Sequence, residues 1–130
     1  MRRLPGLCVA LLLVIAGCGG SSTLTGDALQ KQDEAVHSAA AEGELLASGV
    51  ARDRTTEPFA RVHSGDLADQ AKAVAKRVRD ADAAPGLERE RRQVLTRATR
   101  VAQALEELHA APDDREVAER VQAELRRLAS

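Results

Sequence analysis

Two Glu-x-x-His pairs carry the residue types that bundle proteins use to hold metal ions. They are Glu34 to His37 and Glu106 to His109. Four-helix carboxylate bundles bind two metals with such pairs when both point inward at one level. Here the heptad numbering puts both pairs on outer and flanking positions. At 1.5 Å per residue, His37 and Glu106 also lie about 15 Å and about 30 Å up their helices. Both pairs are therefore expected on solvated faces. His63 is the third histidine. It stands four residues after Phe59 and four before Leu67, so it borders an apolar face near the level of Glu44. One reading is a structural histidine, partly buried and hydrogen-bonded, that ties the top of the first helical hairpin. The other is a polar pocket of His63, Glu44 and Arg61 for a ligand or metal. No nucleophile–base pair, glycine-rich phosphate loop or cysteine set for a metal is present. The expectation is no enzymatic activity and no cofactor.

Cys18 raises a different chemistry. Arg2 and Arg3 precede an apolar run from Leu7 to Ala16. At about ten residues it has signal-peptide dimensions and is short of the roughly 20 that a spanning helix needs. The run closes on Ile15-Ala16-Gly17-Cys18. This segment resembles the lipobox of bacterial lipoproteins. The resemblance implies a diacylglyceryl group on the Cys18 sulfur and cleavage between Gly17 and Cys18. It also implies a chain held at the extracytoplasmic face of the cell membrane by covalent lipid, acylated with palmitate or similar chains. The Arg- and Ala-rich usage adds a likeness to actinobacterial lipoproteins of GC-rich genomes. Cys8 falls in the apolar run, so the mature chain has no disulfide and must fold on packing alone.

The expected organisation is a signal peptide (1–17), a lipidated cysteine and flexible tether (18–26), and a helical domain (27–130). The tether "GGSSTLTG" spans on the order of 15 Å as free coil. The 130 residues hold 19 Lys and Arg against 20 Asp and Glu, for a net charge of −1. One Phe and no Trp or Tyr are present. Without aromatic faces to stack bases, and without a net positive charge, nucleic-acid binding is not expected.

The elements that must position these residues are all helical. The pattern predicts helices over about 27–52, 57–83 and 87–110, and Pro112-Asp113-Asp114 restarts the chain as a fourth helix that continues to about 128. Thr25 is a candidate N-cap, Pro58 suits a first turn, and "APG" at 84–86 is a break. Leu29, Val36, Ala40, Gly43, Ala47 and Val50 form the first apolar stripe. Leu67, Ala71, Val74, Val78 and Ala81 form the second. The third, from Leu87 to Leu108, is interrupted by Arg91 alone. Val117, Val121, Leu125 and Leu128 complete the set. Such seams predict an all-α fold, a small antiparallel up-and-down bundle of about four helices. Ser64-Gly65 is a weak point in the second helix, which is expected to run through it. In "RERRQVLTRATR" (89–100) Glu88 can pair with Arg92 at i,i+4. A salt-bridged solvated face is expected there, with anionic lipid headgroups or envelope polyanions as the alternative contact. Taken together, these residues point to a tethered interaction module for an envelope protein partner. The alternative is a ligand- or metal-binding bundle centred near His63.

Overall fold

The computed structural model describes residues 22–130. Cys8, Cys18, the expected signal peptide and the first part of the tether lie outside the described residues. The rest forms four helices: α1 Gly26–Ala51, α2 Glu57–Asp80, α3 Glu88–Ala110 and α4 Arg115–Ala129. No strand is present among the described residues. The chain runs up and down, so α1 and α3 are parallel and α2 and α4 oppose them. Each helix packs on its neighbours in sequence and α4 closes back on α1; α1 also meets α3 across the centre.

Local sequence accounts for the ends. Thr25 caps α1, its hydroxyl accepting from the Ala28 amide at 3.2 Å. Asp114 caps α4, accepting from the Val117 amide at 3.0 Å. At the far end of α1, Arg54 N donates to Gly49 O at 2.8 Å and Asp53 N to Val50 O at 3.1 Å. This is a Schellman closure, and Asp53 takes the left-handed position that glycine usually fills, at φ 53°. The second helix is continuous through Ser64-Gly65. Buried Ser64 turns its hydroxyl onto the Arg61 carbonyl at 3.2 Å.

The four stripes bury as their spacing dictates. Val36, Leu67, Val78, Val101, Leu105, Leu108, Val121 and Leu125 are almost fully enclosed. Much of the remaining core is alanine. Small residues bury little area each, but they let backbones approach. Gly43 is one such point. A methyl group there would lie 2.6 Å from Leu105 Cδ2 and 2.8 Å from Leu125 Cδ1. Two leucines from two other helices thus rest on the bare backbone of α1.

Two boundaries differ from the sequence reading. The second helix ends at Asp80, not near residue 83. The tether also stops short of residue 26. Both differences have one cause: Leu24 pairs with the α2–α3 loop. Its amide donates to Asp82 O at 2.7 Å and its carbonyl accepts from the Ala84 amide at 3.0 Å. Its side chain is buried in the core. Residues 81–84 leave the helix to make this pairing, and Leu24 is fixed.

Candidate functional site

His63 is half-buried on α2. Its ring stacks on Phe59 with centroids 5.4 Å apart and planes 29° from parallel. It lines an open groove of about 280 Å³ between α1 and α2, with Glu42, Leu45, Leu46, Thr55 and Phe59. The two residues expected beside it are engaged elsewhere. Glu44 accepts from Arg126 Nε of α4 at 2.9 Å. Arg61 donates to Glu57 on its own helix at 2.7 Å. The reason is azimuth. Residues advance about 100° around a helix, so Glu42 and Glu44 flank core-facing Gly43 on opposite sides. Glu44 falls toward α4 and Glu42 toward α2.

The Glu-x-x-His pairs do not converge. Glu34 accepts from Gln30 Nε2 at 2.9 Å. His37 sets Nδ1 on the Asp33 carbonyl at 2.9 Å. Glu106 pairs with Lys72 of α2, which raises the Lys72 pKa above its ordinary value. Among the described residues no group of three or more His, Cys, Asp or Glu could hold a metal ion.

His109 is exposed, as expected of a flank, but it is not free there. Its Nδ1 lies 2.8 Å from the Arg61 carbonyl of α2 and donates to it. The ring rests over Gly65, where a methyl group would come within 3.1 Å of Nδ1. The histidine that ties helices by a hydrogen bond is thus His109, between α2 and α3.

The arginine run is also arranged differently from the expected Glu88–Arg92 pair. Arg91, the misfit of the third stripe, turns inward with its side chain 20% exposed. It grips Glu88 through two bonds, at 3.0 and 2.8 Å. Its Nη1 donates to the carbonyls of Val78, at 3.0 Å, and Arg79, at 3.3 Å. A guanidinium therefore caps the carbonyl end of α2, where the helix dipole favours a cation. The bond from Arg91 holds the Glu88 carboxyl below its ordinary range.

With Glu88 taken, Arg92 has no carboxylate within 4 Å among the described residues, and neither has Arg89. Both line an open groove of about 510 Å³ beside α4, with Arg97, Arg100, Arg127 and Leu128. Arg97 pairs with Asp33, while Arg100 and Arg127 share Glu124. Five guanidinium groups thus face two carboxylates.

Large apolar side chains exposed among the described residues are Leu45, Phe59 and Val62, at 73%, 57% and 64%. They belong to the end of α1 and the start of α2. Leu45 and Val62 stand off the apolar stripes in the sequence, but the spacing puts Phe59 in line with Leu67; the structure buries Ala60 instead and leaves Phe59 exposed. Among the described residues, no helix is long and apolar enough to cross a membrane. Compared with known proteins, the chain matches no family model, no curated protein and no solved structure.

Proposed function

We propose that this chain is an exported lipoprotein, held by lipid on Cys18 at the outer face of the cytoplasmic membrane, whose bundle is a non-enzymatic docking module for an envelope protein. The anchor is supported by the basic n-region, the short apolar run and the Ile15-Ala16-Gly17-Cys18 motif. The observation that carries the docking role is the exposed set Leu45, Phe59 and Val62, with His63 stacked on Phe59. An aromatic anchor among aliphatic side chains is the chemistry of an interface centre. The set also sits at the useful end. The chain enters the bundle at Leu24, and Leu45 stands about 30 Å up α1 at 1.5 Å per residue. An anchored bundle therefore presents this patch away from the bilayer.

The anchor is tested by palmitate labelling and fractionation of wild type and Cys18→Ser. Label and membrane association should both be lost in the variant. Equal labelling of the two would refute it. The docking role is tested with a photo-crosslinking side chain at position 62 in intact cells. One discrete adduct should form, and Phe59→Ala should abolish it. A ligand- or metal-binding groove at His63 is the second reading, and Glu42 and Thr55 beside the ring favour it. A melting temperature raised by Zn²⁺ in wild type but not in His63→Ala would support that reading instead.

A further inference from the structure

The arginine groove lies at the opposite end of the molecule from the apolar patch. Arg89 and Arg92 occupy the first turns of α3, and Arg127 and Leu128 the last turn of α4. In an up-and-down bundle these belong to the same end as the start of α1. Backbone bonds confirm the proximity in the chain, because Leu24 is fixed to Asp82 and Ala84 just ahead of α3. Leu24 follows Cys18 by six chain steps, with five residues between them. Fully extended, these steps reach about 20 Å. The groove also has a definite side. Glu90, the acidic residue within the run, lines a separate groove between α1 and α3. Glu88 is consumed by Arg91. Arg89 and Arg92 are left without a carboxylate partner among the described residues, beside an apolar rim residue, Leu128.

We infer that this groove seats on the phosphate groups of anionic lipid headgroups and sets the bundle upright on the bilayer. The inference rests on the lipoprotein reading, because the short link from Cys18 brings this end to the surface. Guanidinium groups suit phosphate oxygens, which they can bind through two parallel N–H donors. Arginines near an anionic surface each contribute about 1 kcal/mol to binding. Two arginines without a carboxylate partner among the described residues bind such a surface weakly, enough to be measured at high lipid concentration and to orient a chain that lipid already tethers.

The test uses the chain from Gly19 onward without lipid, which retains the whole core from Leu24 to Leu128. Co-sedimentation is measured with vesicles of phosphatidylglycerol in phosphatidylcholine and with phosphatidylcholine alone. Binding should appear with the anionic vesicles only and vanish at 1 M salt, where the screening length is about 3 Å. The double variant Arg89→Gln, Arg92→Gln should weaken it about thirtyfold. The matched double variant Arg52→Gln, Arg54→Gln removes the same charge at the other end and should bind as wild type does. Circular dichroism melts verify that both variants fold. Equal weakening by the two variants would overturn the inference, as would binding to neutral vesicles or none to anionic ones. A melting temperature raised by inorganic phosphate in wild type but not in the Arg89, Arg92 variant, without vesicle binding, would identify a free-anion site instead. Since no acyl group is present, a negative palmitate experiment on Cys18 would sink the anchor and leave this measurement interpretable.

Discussion

Gly43 of α1 and Leu105 of α3 meet so closely that one added methyl group would stand 2.6 Å from Leu105 Cδ2. Leu125 of α4 closes the same point from the other side. Gly43→Ala gains about 1 kcal/mol in helix propensity. Overpacking against two enclosed leucines costs about 1–3 kcal/mol. We expect net destabilisation, read as a lower midpoint in urea. Adding Leu105→Val should return part of the loss. A Gly43→Ala chain more stable than wild type would show that the leucines yield freely.

Arg91→Ala should lower the melting temperature by several degrees, because the α2 carbonyls and Glu88 lose their donor together. Arg91→Lys should recover only part, since one ammonium cannot reproduce the fork that spans both. Arg92→Ala, at an exposed residue with no carboxylate partner among the described residues, should leave the melt nearly unchanged.

The histidines should separate by stability. His109→Ala breaks a bond between helices and uncovers Gly65, at a cost of about 1 kcal/mol. His63→Ala removes a surface stack on Phe59 and should cost less than about 1 kcal/mol. Thermal melts of the two variants side by side decide the order; a larger loss at His63 would reverse the assignment of the tying histidine.

Acid should expose the Glu88–Arg91 pair. Arg91 holds the native Glu88 pKa below its usual 4.5, so the unfolded chain takes up that proton more readily. The pair's contribution is complete above pH 4.5 and drains away as pH falls through the depressed native value. Glu88→Gln should flatten this part of the stability profile. Lys72 behaves in the opposite sense. Glu106 raises its pKa above 10.5, so its contribution is complete below that value and is lost as pH rises through the native one. Stability measured from pH 2 to 6 and from 9 to 12 checks both signs.

The buried stripes were legible because one face of a helix repeats with a period that residue types record. Leu29 through Val50 and Leu67 through Ala81 bury as that period requires. Height along a helix was legible too, and it puts Glu44 and His63 at one level. Direction around the helix relative to two different partners was not, and Glu44 faces α4. Arg91 was visible as a misfit, but its purpose depends on where α2 ends. That end depends in turn on Leu24, whose two backbone bonds leave no mark in side-chain pattern. The lipobox-like segment is read from local residue types alone and carries no information about the groove it would bring to the bilayer.

The fixing of Leu24 has a mechanical consequence. A pull on the chain ahead of it does not load α1 first. Force passes through two backbone hydrogen bonds into the loop that joins α2 and α3, and a buried leucine must leave its seat before the strain reaches Thr25. When that latch slips, the chain lengthens by the few ångströms that residues 24 and 25 can extend. Leu24 thus acts as a slip clutch between a drag on the N-terminal segment and the bundle, yielding before any helix is drawn out.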